Sequence, residues 1–232
     1  MQYEGFLAER ESGRPTQYIL GTWEFMGLPF SVGEGVLIPR GDTEILVETI
    51  LEKQQTEPLR TILDIGTGSG CIPVSLSHYG KFEYVLAVDI SRKALGYATK
   101  NAAANHAEIS FYESDLFQNV PAQWRGQLDA IVSNPPYIPK EDIAGLMTEV
   151  KDFEPINALD GGADGLDFYR AIVAEGRAWL KEGGWLFFGY DQGEALRTLL
   201  ADFGYTEIGI RQDLAGLDRV AFGRYTGKKE GA

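Results

Sequence analysis

The chain has 232 residues, of which 44% are hydrophobic and 24% charged, a composition that supports one sizeable globular core. Its net charge of −13 at pH 7 repels a phosphate backbone, so long nucleic acid is disfavoured as a partner. Two histidines are too few for a His-rich metal centre or a Ser-His-Asp triad, and we predict no metal site.

The sequence carries no pattern for export or membrane insertion. No apolar run approaches the length of a membrane span, and the first residues lack the pattern of a signal peptide. Cys71 is the single cysteine, which excludes an internal disulfide and is compatible with a reducing compartment. We therefore expect a cytoplasmic protein with no membrane partner.

The pattern divides the chain into an N-terminal part, residues 1–57, and a main domain, residues 58–232. The first element is a short amphipathic helix over residues 3–12, with Phe6 and Leu7 on its apolar side. Because a helix this short is marginal on its own, we expect it to be the end of a longer element or a strap on the main domain.

A β-hairpin and a helix complete the N-terminal part. Alternation of apolar and polar residues around a glycine turn predicts the hairpin over residues 23–32. The helix that follows runs to about Lys53, with Asp42 or Thr43 as its N-cap. Its apolar positions share one face and are Ile45, Leu46, Thr49 and Ile50.

In the main domain, strands alternate with helices, which predicts a mostly parallel sheet with right-handed crossovers. The predicted strands cover residues 61–65, 84–89, 109–112, 130–133 and 185–188, followed by a hairpin of 206–211 and 219–223. The predicted helices end near Ser77, Ala104, Leu180 and Phe203, and Ser91 caps the second of them. A long loop from Pro135 to Gly165 precedes the third.

A glycine-rich loop, Gly66 to Gly70, joins the first strand to its helix. This is the setting of a nucleotide-binding turn, in which glycines let the backbone approach a ligand closely. The loop is not a P-loop, because no Lys-Ser/Thr pair follows Gly70. It is also not the full dinucleotide pattern, because Cys71 occupies the place of the third glycine.

Acidic residues lie at the ends of the first three strands of the main domain. Asp64 and Asp89 end the first two strands, and Asp115 lies just after the third. These carboxylates would repel a pyrophosphate, whereas S-adenosylmethionine has no phosphate and is net positive. Asp89 is placed to accept hydrogen bonds from both ribose hydroxyls of an adenosine ligand. The sequence therefore predicts S-adenosylmethionine as the cofactor.

The segment Asn134-Pro135-Pro136-Tyr137 ends a buried strand abruptly. Neither proline has an N–H, and each restricts the residue before it to extended geometry, so the segment is stiff. The Asn134 side-chain oxygen and the Pro135 carbonyl are both acceptors and can hold the two hydrogens of one planar –NH2 group. Tyr137 offers a flat face for stacking. The segment is suited to an amide or an aromatic amine, and a simple turn is the alternative.

These residues resemble a known family. Three segments are similar to class I methyltransferases that modify amides or amines: residues 64–70, 87–91 and 133–137. Three more resemble the protein-(glutamine-N5) methyltransferases of peptide chain release factors: residues 17–25, 37–44 and 153–162. The likeness extends from about Arg14 to Gly223.

The resemblance implies a Rossmann-like α/β fold, with a seven-stranded mostly parallel sheet and an antiparallel last strand. It also implies a substrate, the glutamine of a Gly-Gly-Gln loop in a release factor. The implied cofactor contacts are Asp64, Gly66, Thr67, Gly68, Ser69, Gly70, Asp89, Asp115, Leu116 and Asn134. The implied glutamine clamp is Asn134, Pro135, Pro136 and Tyr137, of which Asn134, Pro135 and Tyr137 are the catalytic candidates.

Three features depart from the family pattern. Members usually begin with a helical domain that helps to hold the release factor, and only its last helix is expected here. Gly41 stands where the family commonly has proline. Two residues, one of them usually Glu, are missing between Phe188 and Gly189.

We interpret the chain as a methyltransferase that acts on the side-chain amide of a glutamine. Three alternatives stay open: a ribosomal-protein glutamine as target, an exocyclic amine of a nucleic-acid base as target, and a cofactor-binding module that is weakly active or needs a partner. The acidic charge argues against the base. Intact Asn134 and Tyr137 argue against simple loss of activity.

Overall fold

The computed structural model describes residues 2–190 and 193–227. Its strands are β1 (Thr22–Phe25), β2 (Leu28–Ser31), β3 (Thr61–Ile65), β4 (Tyr84–Asp89), β5 (Ser110–Glu113), β6 (Leu128–Ser133), β7 (Leu180–Gly189), β8 (Tyr205–Gln212) and β9 (Asp218–Tyr225). Its helices are α1 (Gln2–Glu11), α2 (Thr16–Leu20), α3 (Asp42–Thr56), α4 (Cys71–Tyr79), α5 (Arg92–Ala104), α6 (Thr148–Lys151), α7 (Asp167–Gly176) and α8 (Gly193–Asp202). None of the helices in these two ranges is long and apolar enough to cross a membrane.

Seven strands form one sheet in the order β5-β4-β3-β6-β7-β9-β8. Strands β3 to β7 pair in parallel, whereas β9 pairs antiparallel with both β7 and β8. This confirms the predicted fold. Because β4 lies on one side of β3 and β6 on the other, a crevice opens at their carboxyl ends, where ligands of open α/β sheets bind.

The sheet is buried on both faces, as parallel sheets are. Every residue of β3 is buried, and its side chains alternate between two apolar clusters. One cluster joins Ile62 to Leu46 of α3 and Phe30 of β2. The other joins Leu63 to Tyr169 of α7. The core therefore includes residues from both the N-terminal part and the main domain.

The ends of several elements differ from the prediction. α7 ends at Gly176 rather than near Leu180, because Leu180 already belongs to β7 and pairs with Leu128 of β6. The short helix α2 was not predicted. Pro15 precedes α2 as its N-cap residue, a position near the helix start that tolerates a missing N–H. The long loop before α7 contains α6 and three-residue helical turns.

One expectation for the N-terminal part, the N-cap of α3, is wrong. Phe6 and Leu7 of α1 are 38% and 44% exposed, and an ion pair from Arg10 to Glu149 ties α1 to the main domain. Neither expected side chain caps α3. The residue before the helix is Gly41, with no side-chain hydrogen bond. The Ser91 cap of α5 is confirmed, since its hydroxyl accepts a bond from the Ala94 N–H at 3.2 Å.

Replacing Gly41 by proline is expected to stabilise the protein. Gly41 has a φ of −57°, inside the range that proline fixes, and an added Cβ would meet nothing within 4 Å. Its N–H donates no hydrogen bond within the described ranges. Proline would therefore restrict the unfolded chain at no cost to the folded one, a gain of roughly 0.4–1 kcal/mol. Urea unfolding of both proteins measures the difference, and a loss of stability would show that Arg40 cannot adopt the extended geometry required before proline.

Candidate active site

The glycine loop after β3 leaves space at its start and allows close helix packing at its end. Gly66, Gly68 and Gly70 have φ values of 73°, 56° and 80°, a region that favours glycine. A Cβ added to Gly66 or Gly68 would meet nothing within 4 Å, so both positions face open space. A Cβ on Gly70 would lie 3.0 Å from the Ala98 Cα. The first two glycines therefore leave room for a ligand, and the third lets α4 pack against α5.

Asp89 at the end of β4 is bound into the same loop. Its two carboxylate oxygens accept the N–H groups of Gly68 and Ser91, each at 2.8 Å. Burial raises the pKa of Asp89 despite these bonds. Each carboxylate oxygen accepts more than one hydrogen bond. Asp89 can therefore receive two further hydroxyl groups, as the sequence predicts for a ribose.

Asp64 lies behind the loop at the end of β3 and is 1% exposed. Neither of its carboxylate oxygens has a hydrogen-bond partner among the described residues. Burial raises its pKa to about 7; the nearby Thr67 hydroxyl lowers it in part, and the Asp89 charge raises it further. A buried carboxylate in this state favours a neighbouring positive charge.

The loop and the ends of β4, β5 and β6 surround a cavity of about 480 Å³, here called the cofactor cavity. Among the predicted cofactor contacts, those that line it are Gly66, Gly68, Asp89, Asp115, Leu116 and Asn134. The others do not line it; they are Asp64, Thr67, Ser69 and Gly70. The volume is in the range of small-molecule sites. The open space over Gly66 and Gly68, together with Asp89, fits the adenosyl and cationic parts of S-adenosylmethionine.

A second cavity of about 410 Å³, here called the substrate cavity, opens on the other side of Asn134. Four residues line both cavities: Leu37, Asn134, Pro135 and Ala158. Tyr137 lines only the substrate cavity and lies edge-on to Tyr190, with ring centroids 6.4 Å apart. Pro136 lines only the cofactor cavity. The four residues of the predicted clamp therefore stand at the junction of the two cavities.

The charged groups of the substrate cavity are paired. Arg219 of β9 contacts Asp42 of α3 at 3.1 Å and Asp213 at 2.9 Å. Arg40 donates to both carboxylate oxygens of Glu154, at 2.7 and 2.8 Å. Burial raises the pKa of Glu154, and the Arg40 charge opposes that rise. The two arginines that line the described cavity wall, Arg40 and Arg219, are therefore both engaged by carboxylates.

Several lining residues were not predicted as site residues. The cofactor cavity also includes Gly35, Val36, Asn157 and Phe168, and the substrate cavity includes Thr43, Tyr190 and Arg219. Some of them lie in or beside the segments 37–44 and 153–162. Because these segments carry the family resemblance, the resemblance was the signal that could have identified them as site residues. At the place of the two-residue gap expected after Phe188, β7 is continuous through Gly189, which pairs with Val220 of β9. Residues 191 and 192, just beyond Tyr190, lie outside the described ranges.

Comparison with known proteins defines the class first. The family model described as "Methyltransferase small domain" matches residues 40–150. A 16S rRNA methyltransferase of T. thermophilus, solved with AdoMet and guanosine, aligns with a TM-score of 0.65 at 19% identity over 88% of this chain and 49% of that one. With the strand order above, these findings give the fold of a class I methyltransferase.

Sequence relatives define the family. A release factor glutamine methyltransferase of Geobacter sulfurreducens is 44% identical over 222 residues, which are 95% of this chain and 76% of that protein. Another, from Fusobacterium nucleatum, is 43% identical over 230 residues, which are 98% of this chain and 64% of that protein. The chain belongs to the release factor glutamine methyltransferase family, and the resemblance found in the sequence is confirmed.

Replacing Asp89 by alanine is expected to weaken cofactor binding by about 1.5–3 kcal/mol, the value of hydrogen bonds to a charged acceptor. Asp89→Asn should lose less, because its one remaining side-chain oxygen can still receive the Gly68 N–H. Calorimetric titration of both variants with S-adenosylmethionine measures the difference. Unchanged affinity in Asp89→Ala would remove Asp89 from the cofactor site.

Proposed function

We propose that this chain transfers a methyl group from S-adenosylmethionine to the side-chain amide nitrogen (N5) of a protein glutamine, in the Gly-Gly-Gln loop of a peptide chain release factor. Family membership supports the reaction and the substrate. The observation that carries the proposal is the shared wall of the two cavities, where Asn134 and Pro135 face both. A group in the substrate cavity would there meet a group in the cofactor cavity.

The clamp solves a specific chemical difficulty. An amide nitrogen is a poor nucleophile because its lone pair is delocalised into the carbonyl. When bound, S-adenosylmethionine supplies an electrophilic methyl group. The Asn134 side-chain oxygen and the Pro135 carbonyl are assigned to the two N–H groups of the glutamine, where they fix the nitrogen and stabilise the positive charge that develops on it. Tyr137 holds the amide plane by stacking.

No general base is assigned. Asp42 is the unburied carboxylate on the substrate cavity wall, and Arg219 holds it at 3.1 Å. The Asn134 amide has no protonation equilibrium near neutral pH. The proton of the methylated nitrogen therefore passes to water after transfer, and the residues of the clamp contribute orientation, which can supply roughly 7 kcal/mol or more of a barrier in favourable cases.

The test is methyl transfer with labelled cofactor. The purified chain is incubated separately with a release factor, a ribosomal protein and tRNA, which represent the three target classes. We expect label only in the release factor, and none in a release factor whose Gly-Gly-Gln glutamine is replaced by glutamate. Label in the ribosomal protein or in tRNA would move the proposal to that target. Absence of label in all three, with cofactor binding intact, would favour a partner-dependent module.

A further inference from the structure

The side chain of Asn134 is fixed by a residue outside the clamp. Its amide nitrogen Nδ2 donates a hydrogen bond to the hydroxyl of Thr43 at 3.1 Å, across 91 positions of the sequence. Within the described ranges this is the one hydrogen bond of the Asn134 side chain. Thr43 is buried, with 6% of its surface exposed. The rotation of the Asn134 carboxamide therefore depends on Thr43.

This dependence matters because a carboxamide rotates easily. The last torsion of an asparagine is broad and roughly two-fold, and its two ends are similar in shape but opposite in hydrogen bonding. Holding Nδ2 against α3 leaves the oxygen Oδ1 on the other side, toward Gly189. A Cβ added to Gly189 would lie 2.6 Å from that oxygen. The absence of a side chain at position 189 is thus a condition for the Asn134 side chain to lie in this position, whichever end of its carboxamide faces Gly189.

The turn of α3 that carries Thr43 is itself anchored at three points. Asp42 pairs with Arg219 of β9 at 3.1 Å, and Glu44 accepts the N–H of Met26 in the β1–β2 turn at 2.6 Å. The Thr43 N–H donates to the Arg40 carbonyl at 3.0 Å. The side chains on either side of Thr43, Asp42 and Glu44, therefore contact two separate elements, and the Thr43 backbone bonds to the segment before the helix. Such anchoring restricts the movement of the Thr43 hydroxyl relative to β6.

We propose that Thr43 is a positioning residue for methyl transfer: by accepting the hydrogen bond from Nδ2, its hydroxyl holds the plane of the Asn134 carboxamide, with the oxygen Oδ1 on the side of Gly189 in the substrate cavity. This inference rests on the proposed function. Thr43 also lines the substrate cavity, so a direct contact with substrate is the competing role. A direct contact made equally in the ground and transition states changes KM, whereas loss of orientation at the reacting nitrogen changes kcat.

The experiment compares Thr43→Val, which removes the hydroxyl, with Thr43→Ser, which keeps it. We expect Thr43→Val to lower kcat on the release factor about tenfold, the effect of one lost hydrogen bond, with little change in KM or in cofactor affinity. Thr43→Ser should restore most of the turnover. If the valine variant fails to fold, Thr43→Ala serves as a second variant without the hydroxyl. Alanine also lacks the two methyl groups of valine.

The matched control is Thr49→Val on the same helix. Thr49 is also buried, and its hydroxyl donates to the Ile45 carbonyl at 2.6 Å, away from Asn134. Thr49→Val should leave kcat unchanged. Thermal unfolding of all variants shows whether a substitution in α3 destabilises the protein.

Asn134→Ala in the same assay distinguishes failure of the positioning role from failure of the proposed function. If Asn134→Ala is inactive and both hydroxyl-free Thr43 variants are fully active, the positioning role is overturned and the proposed function stands. If Asn134→Ala is also fully active, the clamp itself is misassigned and both fail. A serine variant as slow as the valine variant, or a loss confined to KM, would also overturn the positioning role.

Discussion

Replacing Asn134 by alanine is expected to abolish detectable methyl transfer while cofactor affinity stays largely intact. The residue lines both cavities, and its role in the proposed mechanism is one acceptor aimed at one N–H of the glutamine. Losing one preorganised hydrogen bond at a reacting centre typically costs about 2.7–4 kcal/mol, a fall of more than a hundredfold in rate. Steady-state kinetics with a release factor, together with calorimetric titration of cofactor, measures both quantities.

Asn134→Asp tests whether an acceptor oxygen at position 134 is enough for activity. It keeps an acceptor oxygen of nearly the same shape, and the Thr43 hydroxyl can donate to its second oxygen, so partial activity is expected. The wild-type rate should show no pH dependence assignable to residue 134, since an amide does not titrate. If Asn134→Ala retains more than roughly a tenth of wild-type turnover, a barrier change under about 1.4 kcal/mol, the Asn-Pro-Pro-Tyr segment is only a turn.

Strand positions near the site could be predicted because their sequences are locally unambiguous. β3 and β4 have the predicted bounds, Thr61–Ile65 and Tyr84–Asp89, since short buried apolar runs end in an aspartate or a glycine loop. Parallel strands end at one edge of a sheet. The strand pattern therefore places the strand ends at one edge, whereas the assignment of Asp115 and Asn134 to the cofactor came from the family resemblance. In the structure Asp89, Asp115 and Asn134 line one cavity.

What could not be predicted depends on contacts distant in sequence. The end of α7 was misplaced because its apolar spacing continues to Leu180, and only pairing with Leu128 shows that Leu180 is in a strand. The substrate cavity is formed from α3, the end of β6 and β9, and no local pattern brings Thr43 or Arg219 to Asn134. Local periodicity determines which face of an element is apolar, whereas tertiary contacts determine which residues meet across a cavity.

Replacing Asp64 by asparagine is expected to stabilise the cofactor-free protein above neutral pH. Burial raises the pKa of Asp64 from 3.8 to about 7, with the Asp89 charge adding to the rise. Between these two values the folded protein retains a proton that the unfolded chain has released. Since stability falls with pH wherever the folded state binds more protons, wild-type stability declines between about pH 4 and pH 7. Asparagine does not titrate, so its variant escapes this decline.

The stability difference between Asp64→Asn and wild type should therefore grow by on the order of 4 kcal/mol from pH 4 to pH 8, with little further change above pH 8. Urea unfolding of the cofactor-free proteins across this range measures it, and Asp202→Asn, at an exposed position, serves as the matched control for an aspartate-to-asparagine substitution. A flat profile for Asp64→Asn would mean that the Asp64 carboxylate is ionised in the folded protein at low cost. Asp64 would then not be expected to favour a cationic ligand, because that preference derives from the same unfavourable burial of its charge.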